Sequence, residues 1–329
     1  MLKSEITDHI FELVYHNIYA SRNDIAERAI RNRFIGFRAE LDLLNYLRKN
    51  KHTLYNGGYL IPLRHKKNTL SCPVYFTIDD KPFSDYTGIY KILNGYNFCK
   101  LFYIQFDNNQ KFSELIKADL FNNGYHFPVP EFKCYEFIDS KFKNVTGTAA
   151  PLNPLLALFT DKKRTLNNFK IENRKISQYK SLLQNFPEDD LTNLYYSRLI
   201  FDGYIGLGKY KGVPSDIDLI TKNKNNYNFL EVKEKDLSKT EPRGFGIDIQ
   251  RLKDCLNLAN DSRINYFYIV RQIDDQESRK FLSWKYIDFK EFDMVAPKKT
   301  VEGGQGMNTV IGADNPTRIV PLASFKNLP

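Results

Sequence analysis

Long apolar runs are missing from this chain of 329 residues. None reaches the about 20 residues that a helix needs to cross a bilayer. The N-terminal MLKSEITDHIF lacks the apolar centre of a secretory signal. The expectation is a soluble, cytoplasmic protein with no membrane partner. Cysteine is equally sparse: Cys72, Cys99, Cys134 and Cys255 are scattered, with no C-x-x-C pair. That pattern signals neither a zinc site nor a disulfide framework, and it agrees with a reducing compartment. The five histidines are too dispersed for a His-based metal centre. No solenoid-type repeat and no low-complexity block appears. GYIGLGKYKG (203–212) holds four glycines without a βαβ context, so it predicts a tight strand entry rather than a phosphate loop.

What is present is enough for real cores, with 42% hydrophobic and 14% aromatic residues. The net charge of +9 favours a polyanionic partner. The length suggests two domains. Residues 1–50 read as helical, with Phe37, Leu41, Leu44 and Leu47 at helical spacing. GYLIPL, PVYFTID and KLFYIQFD then read as strands, followed by helix-like periodicity at 112–121 and an aromatic stretch at 125–142. This makes 1–160 an α+β accessory domain. Within it Glu40 on a helix, Asp85, and a strand ending at Gln105 faintly repeat the order helix, acid, strand, with no lysine. A basic stretch, 161–180, reads as a linker. The remainder, 181–329, reads as the second domain with an extended C-terminal arm. Asn185 is expected to cap its first helix, whose first turn holds Glu188, Asp189 and Asp190 at the positive end of the dipole.

The stretch from Val213 to Asp236 carries the chemistry. DIDLI and NFLEVKE flank a polar turn, Lys222 to Asn226, and predict a β-hairpin. Strand side chains alternate with period 2. Asp216 and Asp218 therefore share a face on one strand, and Glu231 and Lys233 share a face on the other. Ile217, Leu219, Leu230 and Val232 take the opposite face. Like charges crowded on a sheet face are costly unless a cation joins them. Carboxylate oxygens suit Mg²⁺, which contacts phosphate and lowers the pKa of bound water. Lys233 is placed to orient or deprotonate that water, or to stabilise the transition state. Lys235 returns to the same face and is a phosphate-contact candidate, as are Arg243 and Arg251. Glu234 faces away, as a structural or solvated residue.

Asp218 followed by Glu231-Val232-Lys233 resembles the D…(E)xK signature of the PD-(D/E)XK nuclease superfamily, the fold of many restriction endonucleases and Holliday-junction resolvases. GVPSDIDLI followed by FLEVKEKDLS is most similar to its VRR-NUC type, over about residues 187–270. Here the Pro-Asp pair is spread over Pro214-Ser215-Asp216-Ile217-Asp218, so either aspartate matches the family ligand; Asp218 is preferred, with Asp216 second. The resemblance implies an α/β fold, a restriction-endonuclease-like αβββαβ core sheet in the C-terminal half. It also implies an acidic residue on the preceding helix near the metal, matched by Glu188, and a glutamine early in the following helix, matched by Gln250. That helix is expected from Ile247 to about Asn260, its apolar stripe being Ile249, Leu252, Leu256 and Ala259.

The expected activity is Mg²⁺-dependent hydrolysis of DNA phosphodiesters, with Mn²⁺ as a substitute and 5′-phosphate ends as the family implies. The leading expectation is a type II restriction-type endonuclease on double-stranded DNA, with 1–160 serving recognition or homodimerisation. A structure-specific repair or junction nuclease is the alternative enzyme. A catalytically inactive nucleic-acid-binding protein is the alternative of another class, and RNA stays open as a substrate.

Overall fold

The computed structural model describes residues 2–18, 22–61, 72–95, 99–159, 169–206, 215–224, 226–239, 241–261, 264–302 and 316–328. Its elements begin with α1 (Leu2–Asn17), α2 (Asn23–Lys49), β1 (Thr53–Ile61), β2 (Val74–Asp79), α3 (Thr87–Leu93) and β3 (Lys100–Phe106). Then come β4 (Ile116–Ala118), β5 (Phe127–Val129), β6 (Phe132–Ile138), β7 (Lys141–Asn144), α4 (Asn153–Leu156), α5 (Asn173–Ser181) and α6 (Glu188–Arg198), which runs into a π-helical turn, Leu199–Ile205. The C-terminal part holds β8 (Ser215–Asn223), β9 (Asn226–Lys235), β10 (Gly244–Asp248), α7 (Ile249–Asp261), β11 (Asn265–Ile273) and β12 (Phe281–Asp288). It ends with α8 (Phe289–Val295), β13 (Val301–Glu302), β14 (Pro316–Pro321) and β15 (Lys326–Asn327). The protein is mixed α/β.

The chain divides into two compact units, each built from two segments. Unit 1 is Met1–Phe34 with Gly58–Pro214, and unit 2 is Ile35–Gly57 with Ser215–Pro329. The division therefore does not fall in the basic 161–180 stretch. The reason is non-local pairing: unit 2 takes a helix and a strand from the N-terminal 60 residues, which composition along the chain cannot reveal. Of the expected linker, 161–168 lies outside the described residues, and 173–180 belongs to α5.

In unit 1, β2 and β3 are parallel with α3 between them in sequence, and β6, β7 and the second half of β1 add antiparallel neighbours. Its interior is rich in tyrosine: Tyr75, Tyr86, Tyr90, Tyr103, Tyr195 and Tyr196 are nearly inaccessible. Buried phenols need acceptors. Tyr90 donates to the Phe102 carbonyl at 2.5 Å, Tyr103 to Lys81 at 2.6 Å, and Tyr195 to Pro128 at 2.7 Å. Buried Asp202 accepts from Arg33 at 3.1 Å and Arg198 at 3.4 Å. The helix-like periodicity at 112–121 resolves into a 3₁₀ turn and β4 instead. Pro187, not Asn185, is the N-cap of α6, its extended backbone ending one residue before the first helical turn. Gly203 lies in the π-helical turn rather than in a strand entry, and 207–214 lies outside the described residues.

Unit 2 is ordered β15-β12-β11-β9-β8-β1, the last represented by Thr53–Gly57. β8 and β9 form the expected antiparallel hairpin, with Leu219 opposite Leu230 and Ile220 opposite Phe229. β9 and β11 are parallel, joined through β10 and α7, a connection of the length parallel strands require. α2 supplies Ala39, Leu43 and Leu47, spaced four apart on one helix face, against Leu219, Leu230, Val232, Ile269 and Trp284. Its last turn holds Arg48 and Lys49, favourable at the negative end of the dipole. At Gly57 an added Cβ would lie 1.6 Å from the Ile217 carbonyl oxygen, so only glycine lets β1 approach β8 there.

α7 begins two residues later than expected, because Gly244–Asp248 pairs as a strand with β14. The buried residues of α7 are Leu252, Cys255, Leu258 and Ala259, whereas Leu256 is half-buried. The C-terminal arm contributes β13, β14 and β15, strands that strap it to unit 2. All four cysteines are free. Among the described residues no helix is long and apolar enough to cross a membrane.

Candidate metal centre

Alternation along the hairpin sends Leu219, Leu230 and Val232 to the α2 side. Asp216, Asp218, Glu231, Lys233 and Lys235 therefore take the other face. A ligand oxygen of each of Asp216, Asp218 and Glu231 lies within 4.8 Å of the others. Among the described residues this is the one cluster of three or more potential ligands with such spacing. Glu231 is inaccessible to solvent, while the two aspartates are half-buried. The Lys233 Nζ lies 2.7 Å from the Glu231 Oε1.

Two further groups close the cluster. Arg251, in the first turn of α7, donates from Nε to the Glu231 Oε1 at 3.0 Å and from Nη2 to the Asp216 Oδ1 at 2.9 Å. The same Nη2 donates to the Glu231 Oε2 and to the Asp216 carbonyl. Asp248 caps the helix by accepting from the backbone of Gln250 at 2.9 Å and Arg251 at 3.0 Å, which fixes where the arginine starts. The Tyr266 hydroxyl donates to the Asp216 carbonyl at 3.2 Å, and the backbone N–H of Val232 donates to the Asp218 Oδ2 at 2.6 Å.

The electrostatics follow from this crowding. Burial, then the neighbouring carboxylates of Glu231, Glu40 and Asp216, hold the Asp218 carboxyl well above the usual carboxylate range, against the pull of Lys233. For Lys233, burial favours the neutral amine but is outweighed by Glu231, Asp218 and Asp216, so its pKa is raised. Lys233 is thus an ammonium at neutral pH in the metal-free protein. That suits orienting and charge stabilisation rather than proton abstraction. Lys235 shifts the other way, lowered by burial and by Lys233.

The donor set fits a hard divalent cation: three carboxylates, all oxygen, crowded enough that burial and its neighbours raise the pKa of Asp218. Asp216, Asp218 and Glu231 would hold it.

The remaining expected residues fall as follows. Gln250 is exposed and its amide donates along the helix to Asp254 at 3.0 Å rather than to the carboxylates. Arg243 is exposed on β10's approach. Arg251 does not present a surface cation; its guanidinium is spent on Asp216 and Glu231. Glu188 is exposed in the first turn of α6 and belongs to unit 1, outside the three-carboxylate cluster. The acidic group that acts on Asp218 from the helix preceding the sheet is Glu40 on α2. Glu40 stands four residues before Leu44, in the helical stripe already visible in the sequence. Nothing local links it to a strand 170 or more residues later. Glu234 points to the α2 side, where Arg38, Arg271 (2.8 Å) and Arg279 (2.6 Å) surround its buried carboxylate.

No protein-family model matches the chain, and neither does any curated protein or solved structure.

Proposed function

We propose that unit 2 is a divalent-metal-dependent nuclease acting on DNA, with Mg²⁺ the metal. The observation that carries this reading is the convergence of Asp216, Asp218 and Glu231 within 4.8 Å of one another, with the Lys233 ammonium 2.7 Å from Glu231. The element order α2, β1, β8, β9, α7, β11 supports a restriction-endonuclease-like αβββαβ core, with the first helix and strand supplied from the N-terminal segment. The net charge of +9 supports a polyanionic substrate.

In this reading Asp216, Asp218 and Glu231 hold the metal. The bound metal supplies polarisation of the phosphate and a water of lowered pKa. Lys233 orients that water and offsets charge on the phosphate in the transition state. Lys235, on the same face two residues further, contacts a neighbouring phosphate. A sequence-specific endonuclease of restriction type is the leading reading, and a repair or junction nuclease the other enzyme.

The test is cleavage of mixed plasmid and phage DNA in Mg²⁺ by wild type, Lys233→Ala and Asp218→Ala. Discrete fragments from wild type, reduced about 10²-fold or more in both variants, are expected. Cutting confined to branched DNA selects the repair reading. Full activity in either variant refutes the assignment.

The Arg251 guanidinium on Asp216 and Glu231 favours a second reading, a nucleic-acid-binding protein whose carboxylates are structural. Such a protein melts at the same temperature with and without Mg²⁺, whereas the nuclease is stabilised by it.

A further inference from the structure

The acidic cluster already contains a cation, and it is not a metal. Two positive side chains touch it. Lys233 projects from the strand itself, its side chain 40% exposed. Arg251 comes from a different element, α7, and its side chain is only 13% exposed. One nitrogen, Nη2, binds an oxygen of Asp216 and an oxygen of Glu231 at once, two of the three members of the cluster. Nε holds the other Glu231 oxygen at 3.0 Å. Both Glu231 oxygens are thus engaged by Arg251. A cation bound by all three carboxylates must sit about 2.1 Å from an oxygen of each. The guanidinium holds both oxygens of Glu231 and one of Asp216, so it competes with a cation for these donors. Two like charges do not share such a space cheaply.

We propose that Arg251 is a resident counter-cation of this site: it neutralises the carboxylates in the metal-free protein, is displaced by the metal, and then binds the substrate phosphate beside it. The proposal rests on the metal-dependent nuclease reading. Its chemistry is that of arginine. The guanidinium cannot lose its proton to make way, so it must move, and its planar fork matches the two oxygens of a phosphate. The helix start is fixed by Asp248, so only the side chain swings. A binding site that carries its own exchangeable counter-charge avoids leaving the buried Glu231 and its neighbour Asp216 short of positive partners, which is destabilising.

The experiment is titration of the full-length protein with Mn²⁺ alone, followed by electron paramagnetic resonance, for wild type, Arg251→Met and Arg251→Lys. Removing the competitor should tighten Mn²⁺ binding about tenfold or more in Arg251→Met, with Arg251→Lys in between because a lysine makes fewer of the same contacts. Arg251→Lys keeps the positive charge, so it carries the test by itself should Arg251→Met not fold. A second measurement reads the displaced state: duplex DNA affinity in Ca²⁺ and in EDTA. Arg251→Met should bind DNA about tenfold more weakly than wild type in Ca²⁺ and equally in EDTA. Mn²⁺ affinity in the variants equal to or below that of wild type overturns the proposal while leaving the nuclease reading intact. A DNA-binding defect of the same size in EDTA also overturns it. Absence of Mn²⁺ binding in wild type and both variants refutes this proposal and the metal-dependent reading together.

Discussion

Replacing Asp218 with asparagine should stabilise the metal-free protein and abolish its response to metal. Asp218 faces Glu231 and Asp216 with ligand oxygens no more than 4.8 Å apart. At an effective dielectric of about 20, two like unit charges at that distance repel by about 3 kcal/mol. Lys233 offsets part of this, so the net relief at neutral pH is about 1–2 kcal/mol. The substitution keeps the acceptor that binds the Val232 N–H, because an amide oxygen replaces the Oδ2. For a chain of this size the relief corresponds to a rise of about 2–6 °C in Tm.

The pH dependence makes the argument specific. The folded carboxyl titrates above its unfolded value of 3.8, held there by burial first and then by Glu231. The folded state therefore binds the proton more tightly than the unfolded state. Stability is unaffected below the unfolded value and falls as pH rises through the folded one. Asp218→Asn removes that fall. The expected Tm difference in EDTA is near zero at pH 4 and grows towards pH 8. In Mg²⁺ the sign reverses, because wild type gains a ligand that the variant cannot hold. Differential scanning calorimetry at pH 4, 6 and 8, with EDTA and with Mg²⁺, measures both dependences. A variant less stable than wild type at pH 8 in EDTA, or a difference independent of pH, refutes the crowding on which the metal site is argued.

Gly57→Ala places a carbon on the Ile217 carbonyl, between the two aspartates, and should cost about 3 kcal/mol or more and abolish Mn²⁺ binding; a normal melt with normal binding contradicts the close β1–β8 approach. His9 is held near 4 rather than 6.5, chiefly by burial among Phe112, Phe127 and Tyr195, with Asp8 opposing. It stays neutral when folded, so stability is complete above pH 6.5 and falls as pH drops towards 4, by up to about 3 kcal/mol. Denaturant melts at pH 7 and pH 4.5 should show this loss in wild type and not in His9→Phe. A fragment of residues 181–329 should lack a cooperative transition by circular dichroism, because Leu219, Leu230 and Val232 lose Ala39, Leu43 and Leu47; a sharp melt would count against the two-segment unit.

The hairpin was legible because everything about it is local. Period-2 alternation assigns Asp216, Asp218, Glu231 and Lys233 to one face whatever else the chain does, and the Asn-rich turn between them brings the strands together; Lys224 there adopts φ +53°, as such turns require. The helix α2 was legible too, from the stripe that ends in Leu47. What the sequence could not show was that these belong together. The helix sought beside the hairpin was the one immediately upstream, carrying Glu188, whereas the helix that covers the hairpin is separated from it by more than 150 residues. Spacing along a chain reports neighbours on one element, and pairing between β1 and β8 is not encoded in any spacing.

The same limit explains Arg251, and shows what a charge pattern does and does not say. Arg251 and Arg243 look alike in sequence, each a basic residue in a polar stretch near the motif. One is exposed; the other stands 20 residues after Glu231 and crosses to its carboxylate, because α7 returns the chain antiparallel to β9 before β11. The strand's two faces then follow opposite electrostatic designs. On the α2 side, Glu234 is one carboxylate among Arg38, Arg271 and Arg279, with Asp42 accepting from Arg271 at 2.8 Å, so charge there is balanced by fixed side chains. On the other side Asp216, Asp218 and Glu231 converge, with Lys233 and Arg251 against them, and burial and the neighbouring carboxylates raise the pKa of Asp218. The proposed metal would bind on the second face, where three carboxylates crowd together, and not on the first, where Glu234 and Asp42 already have arginine partners.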